Sequence, residues 1–298
     1  MNTLLIIAID GVIFASWLFL ISAGLTLIYG VLRILNVAHG SLYALGAYTT
    51  ASLVIAYFGR GLWPYGSFLL LVGAAVAVGL IVGPLIEHGL LRPVYGRDPV
   101  VQLLVTYALF LILEDVIKLI WGVNPYYAYK PYSLLGQVRL GGIVYPGYSF
   151  LLLAVAGLTG TLLWLFVNRT HFGRLVVAVI HDPEISTAMG VNVPRVHMLT
   201  FTLGAMLAAL GGALTAPMIS VVPGIAVEVI VLAFAVVVIG GLGSLEGAAL
   251  GALIVGLVRA AAVHLMPVLE LFTIYLVMAV VLLMRPYGLF AREEVRRI

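Results

Sequence analysis

"FLLLVGAAVAVGLIVGPLI", residues 68–86, runs for nineteen positions without one charged side chain. A hydrocarbon layer about 30 Å thick takes roughly 20 such residues to cross as a helix, so the stretch reads as a membrane span. Its apolar residues are continuous instead of alternating, which points to a helix and away from a barrel strand. The rest of the chain repeats the pattern. Of its 298 residues, 63% are hydrophobic and 9% charged, with a mean hydropathy of +1.20. Soluble domains carry about 25% charged residues, so this chain cannot cover a water-facing surface.

The sequence therefore predicts an all-α polytopic membrane protein, a single transmembrane domain over residues 1–298 with about eight or nine spans. Candidate spans lie at 11–32, 36–58, 67–91, 99–121, 147–168, 197–221, 225–242, 246–264 and 268–285. The region 225–264 reads either as two full crossings or as two shorter broken helices. The N-terminal "MNTLLIIAID" has no basic region ahead of its apolar run, and is read as part of the mature protein and not as a cleaved leader.

Orientation follows from the basic residues of the short loops. Arg33, Arg92, Arg97, Arg169, Arg174, Arg195, Arg285, Arg292, Arg296 and Arg297 fall on one side, and Arg60, Lys130 and Arg139 on the other. This places the N-terminus outside and the C-terminus in the cytoplasm. The net charge of +3 is small, and its basic residues sit where a bilayer would put them, which suggests lipid and not nucleic acid. With no cysteine there is no disulfide framework and no Cys-based metal site. No G-x-x-x-x-G-K-[ST], H-E-x-x-H or G-x-S-x-G occurs, so no P-loop, zinc-peptidase or nucleophile-elbow chemistry is indicated.

Three polar segments interrupt the oil. In "HDPEISTAMG" (181–190), Asp182 suits an N-cap, Pro183 the first helical position, Glu184 the positive end of the dipole, and Gly190 a stop. Ile185, Ala188 and Met189 then share one side of a two-turn helix, flanked by Arg169, Arg174 and Arg195. It is either a solvated connector or a small docking helix for a cytoplasmic partner. In "GGLGSLEGAALGAL" (240–253), Ser244 can cap a helix carrying Glu246 in its first turn; that acid is an interfacial charge or a contact to a partner or gate. Gly243, Gly247 and Gly251 lie four apart, as do Ala252, Gly256 and Ala260, which allows close helix approach. In "RILNVAHGSLYALGAY" (33–48), Asn36, His39 and Ser41 interrupt the apolar sequence, Gly40 and Gly46 permit a bend or close packing, and His39 is a packing histidine or, less simply, a proton relay or ligand.

Ionisable residues within spans each carry a hypothesis. Glu114 and Lys118, four apart, allow an ion pair, with Asp115 beside them. Asp10, Glu228, Arg259, His264 and Glu270 lie near span ends or in outer halves, where pairing or snorkelling explains them. The external loop 122–146, with Trp121 before it, has tyrosines suited to a headgroup-level belt or to a docking surface.

The runs "GLTLIYGVLRILNVAHGSLYALGAY" (24–48), "GRLVVAVIHDPEISTAMGVNV" (173–193) and "VVVIGGLGSLEGAALGALIVG" (236–256) together resemble the LivH-type permease subunit of branched-chain amino acid ABC importers, in order and over nearly the whole chain. The resemblance implies half of a translocation path in a bacterial or archaeal cytoplasmic membrane. It implies a LivM-like permease partner, two cytoplasmic ABC ATPases that bind the ATP, and a periplasmic or lipid-anchored amino-acid-binding protein. This chain itself would hold no cofactor or metal and would not be an enzyme. On that pattern 169–195 forms the coupling loop, with Arg174, His181, Asp182, Glu184, Ala188, Met189 and Gly190 seated on an ATPase. Asn36, His39, Gly40, Gly243, Glu246, Gly247 and Gly251 would serve packing or gating. The rival readings are a permease for urea or short amides, a transporter driven by an ion gradient through Glu114, Asp115 or Glu228, and a membrane scaffold.

Overall fold

A computed structural model describes residues 2–140 and 142–290; Arg292, Arg296 and Arg297 lie outside them. Twelve helices are described: α1 (Asn2–Leu32), α2 (His39–Gly59), α3 (Ser67–Ile86), α4 (Pro99–Trp121), α5 (Lys130–Leu134), α6 (Gly147–Arg169), α7 (His171–His181), α8 (Pro183–Ala188), α9 (Val193–Thr215), α10 (Ile225–Gly240), α11 (Leu245–Leu265) and α12 (Glu270–Met284). Seven of them, α1, α2, α3, α4, α6, α9 and α11, are long and apolar enough to cross a membrane, and α10 and α12 are shorter apolar helices. Each expected span holds one of these nine. The protein is an all-α polytopic membrane protein; the described residues also include a two-stranded antiparallel hairpin, β1 (Gln137–Leu140) and β2 (Ile143–Pro146), in the long loop.

Span ends differ from expectation in informative ways. α1 starts at Asn2 rather than residue 11, because no proline interrupts the apolar residues ahead of Gly11. α9 stops at Thr215 rather than 221. Pro217 and Pro223 follow, each lacking an N–H and hindering a continuous helix, and residues 216–224 unwind. Ala216 and Val221 in this unwound stretch are buried. Irregular backbone is tolerated at such depth where protein encloses it and satisfies its polar groups. Val221 does so by exchanging two 3.0 Å backbone hydrogen bonds with Tyr126 of the long loop. The uncertain region 225–264 resolves into the shorter α10 and the full-length α11.

The helices alternate in direction around α9, which packs against α1, α2 and α3. Fixed contacts set their heights. Tyr148 Oη donates to the Leu214 carbonyl (2.7 Å), Trp121 Nε1 to Ser52 Oγ (2.7 Å), and Thr106 Oγ1 to the Leu35 carbonyl (3.1 Å). One end of the bundle consequently gathers Arg33, Arg92, Arg97, Arg169, Arg174, Arg195 and Arg285, and the other Arg60, Lys130 and Arg139.

The ionisable residues mostly find partners. Arg259 pairs with Glu270 and lies 4.1 Å from the Phe14 ring centre, while His264 Nε2 meets Asp10 Oδ2 at 2.7 Å. The expected pairing of Lys118 is corrected: its ammonium lies 3.4 Å from Asp115, one residue closer in sequence, on the exposed side of α4. Glu114 turns the other way, into the bundle. The loop tyrosines divide as well. Tyr148 is buried, ringed by Tyr132 and Phe68, whereas Tyr127 and Tyr129 are exposed.

Candidate functional site

The polar stretch at 181–190 forms a two-helix elbow. Thr170 Oγ1 accepts the Gly173 N–H (3.0 Å) and so caps α7. Gly173, Val176 and Val179 form its buried face. A Cβ at Gly173 would overlap the carbonyls of Phe166 and Val167, so only glycine lets α7 fold back this tightly on the end of α6. This amphipathic face was readable from its three-residue spacing, yet the polar residues beyond it drew the reading instead.

α8 is built as its sequence suggests. Asp182 Oδ1 accepts the Ile185 N–H at 2.8 Å, Pro183 opens the helix, and Glu184 lies in the first turn. Gly190 takes φ +86°, and the N–H of Val191 returns to the Ser186 carbonyl at 3.0 Å. Such a left-handed stop satisfies carbonyls that the helix end would otherwise leave unpaired. Ile185 and Met189 are 59% and 80% exposed, so the apolar face at 185, 188 and 189 points off the protein. Arg174, His181, Glu184, Ala188 and Gly190 are exposed around it, with Asp182 half-buried. Ser186, for which the sequence suggested no role, is the one buried residue of α8, and it holds the turn against the bundle. Beyond the stop, Asn192 Oδ1 caps α9 through the Arg195 N–H (3.1 Å).

The other two segments lie inside the bundle, apart from this elbow. Residues 33–38 are an irregular link in which Arg33 takes φ +56°. Asn36, His39 and Gly40 are buried. His39 Nε2 lies 3.0 Å from the Ile21 carbonyl, while its Nδ1 is buried without a hydrogen-bond partner among the described residues; among the described residues no cluster of three potential metal ligands occurs. A side chain at Gly40 would overlap the Ala226 carbonyl, so the starts of α2 and α10 are in backbone contact. Both amide atoms of Asn36 are buried without a hydrogen-bond partner among the described residues, as are Ser22 Oγ and Thr26 Oγ1 one turn apart on α1.

At the far end of α10, Ser244 Oγ accepts the Gly247 N–H (3.0 Å) and caps α11, with Glu246 exposed beside it. Cβ atoms at Gly240 or Gly247 would overlap the other's carbonyl, and one at Gly251 would come within 2.5 Å of the Val236 carbonyl. The two small-residue rows divide their work. Gly247 and Gly251 meet α10, while Gly256 in the second row meets α1 at Gly11. Gly243 is a turn residue at φ +83°, facing Gly30. Leu289 and Phe290 complete this corner by donating their N–H groups to the carbonyls of Ile239 (3.0 Å) and Gly240 (2.9 Å).

Between these levels sits a set of acids that sequence reasoning did not separate. Glu114 Oε1 accepts the Gly224 N–H at 2.7 Å, fixing the left-handed glycine (φ +90°) from which α10 starts. Glu228, in the first turn of α10, is exposed and has no hydrogen bond or ion pair among the described residues. Near the arginine-rich end, Tyr95 Oη donates to the buried Glu87 Oε1 (3.0 Å) and its ring meets His197 edge-on at 5.0 Å. Burial and the adjacent carboxylate push the Tyr95 phenol above its usual range, so it remains a donor.

Comparison with known proteins matches residues 7–284 to the family described as branched-chain amino acid transport system / permease component. The chain is 29% identical over 303 residues to the high-affinity branched-chain amino acid transport system permease protein BraD of Pseudomonas aeruginosa, covering 97% of this chain and 96% of that one. It is 28% identical to the permease protein LivH of Escherichia coli K12, with the same coverage. Against a probable branched-chain amino acid transport permease protein LivH of Methanocaldococcus jannaschii it is 30% identical, covering 83% and 77%.

Proposed function

This chain belongs to the family of branched-chain amino acid transport system permease components, and from that premise we propose that it forms half of the path by which an ATP-driven importer moves branched-chain or related hydrophobic amino acids. Its partners are a second, LivM-like permease chain, two ATPases that bind the nucleotide, and a binding protein that delivers substrate. The arginine-rich end faces the cytoplasm of a bacterial or archaeal cell, as the charge asymmetry of the loops favours.

The observation that carries this reading is α8. A capped, glycine-stopped helix presents Ile185 and Met189 to solvent at the arginine-rich end, while Gly173 and Ser186 hold its base against the protein. A six-residue helix has little stability of its own and gains order from contact. Such an apolar helix face suits a groove on a partner. Nucleotide-driven movement of the ATPase would push α8, and α7 would pass that push to the end of α6. Within the membrane, Glu228 is the acid best placed to meet the ammonium group of an amino acid, being exposed and without a hydrogen bond or ion pair among the described residues. Asn36, His39, Gly40, Gly243, Glu246, Gly247 and Gly251 would hold the tight contacts about which the spans tilt.

The test is uptake in vesicles reconstituted with all partners. Glu184→Arg and Ala188→Trp should abolish uptake of leucine while the protein still inserts at normal levels. Uptake at the unaltered rate in both variants would overturn the docking role. Uptake that survives ATP depletion and collapses with the ion gradient would favour a gradient-driven carrier, and accumulation by this polypeptide alone without nucleotide would end the importer reading.

A further inference from the structure

α3 packs on α9 and α6 on α1 without α3 and α6 closing on each other, which leaves a crevice of about 570 Å³ lined by α3, α6 and α9. Its volume falls within the roughly 300–1,000 Å³ of small-molecule sites. Ala75, Leu163 and Leu207 are its buried floor, and Val72, Leu162 and Leu165 its exposed rim. Apart from Thr159, the lining is hydrophobic until the arginine-rich end, where Arg169 and Thr170 form the mouth. Thr170 is already committed, donating to the Phe166 carbonyl and capping α7. Arg169 is exposed, with no hydrogen bond or ion pair among the described residues.

We propose that this crevice binds an anionic phospholipid, one acyl chain lying between α3, α6 and α9 and the phosphate held by Arg169. The argument is one of complementarity. An apolar slot within the membrane-spanning length of three helices matches an acyl chain, and the single cation stands where that slot reaches the membrane surface. Basic pockets between spanning helices are known sites for anionic headgroups. Arginine suits phosphate because its planar fork donates two parallel hydrogen bonds. The position gives the lipid a consequence. Arg169 is the last residue of α6 and Thr170 the cap of α7, so a bound headgroup sits at the base of the elbow that carries α8. The lipid would stiffen that base.

The experiment labels the purified full-length chain in mild detergent with phosphatidylglycerol bearing a photoactivatable acyl chain, and in parallel with the matching phosphatidylcholine. Labelled peptides are then mapped. Phosphatidylglycerol should label 162–170 and 203–210 about fivefold more than phosphatidylcholine, the preference expected from one arginine near an anionic surface. Arg169→Gln should bring the two lipids level. Val72→Trp, on the exposed rim where a larger side chain is tolerated, should lower labelling by both. Equal labelling of all lipid-facing helices would mean annular lipid only and would overturn the proposal. So would a preference for phosphatidylglycerol unchanged in Arg169→Gln. Exclusion of lipid from the crevice by a helix of another subunit, read as cross-links to that chain in the assembled transporter, would refute it as well.

Discussion

Asp182→Ala deletes the acceptor that holds the Ile185 N–H at 2.8 Å while leaving Pro183, Glu184 and the Gly190 stop in place. An N-cap of this kind contributes about 1 kcal/mol. In a helix of only six residues that loss falls on an element with no reserve, since short helices are marginal without tertiary support. About 1 kcal/mol corresponds to a factor of about five in the ratio of formed to unformed α8. The concentration of partner ATPase needed for half-maximal coupled uptake should therefore rise, by up to about fivefold where α8 is largely unformed before docking, with the amount of inserted permease unchanged. Asp182→Asn is the informative control, because asparagine caps as well as aspartate but carries no charge. It should behave nearly as the unaltered protein. If Asn is as damaging as Ala, the carboxylate acts through its charge and the capping argument fails. If Ala changes nothing, the ordered α8 is irrelevant to coupling.

Three other outcomes follow from contacts already described. Gly190→Ala has open space for its methyl group but must hold φ +86°, so it should cost about 1–2 kcal/mol locally and weaken coupling without lowering thermal stability of the spans. Glu114→Ala leaves the Gly224 N–H without its acceptor and should cost about 1–3 kcal/mol, read as a lower Tm in detergent, while Glu114→Gln, which keeps a carbonyl oxygen, should lose less. Equal loss of uptake in both, at unchanged Tm, would instead make Glu114 a proton-handling acid. Gly247→Val drives a side chain into the Gly240 carbonyl and should destabilise by at least the roughly 1–3 kcal/mol of ordinary overpacking, seen as aggregation on size-exclusion chromatography.

Much of this architecture was legible in the residues because the bilayer imposes a simple code. Continuous apolar length gave the nine helical segments, and the positions of arginine gave the two ends of the bundle. Capping chemistry gave α8 almost atom for atom. What stayed hidden depended on encounters between distant residues. Nothing local distinguishes Glu114 from Asp115, yet one turns inward to a backbone N–H 110 residues away and the other outward to Lys118. The unwound 216–224 carried a signal in Pro217 and Pro223, but its apolar side chains outweighed it. Ser186 went without a role because a six-residue helix gives too few positions to define which side is buried. The β-hairpin at 137–146 left no clear alternation to read, since β1 is exposed throughout.

The pair of N–H groups from Leu289 and Phe290, docked on the carbonyls that end α10, has a mechanical meaning. The segment after α12 is latched to a turn some fifty residues earlier in sequence, so the two cannot drift apart without exposing two acceptors. A pull applied at Phe290 itself would therefore be felt at the corner between α10 and α11.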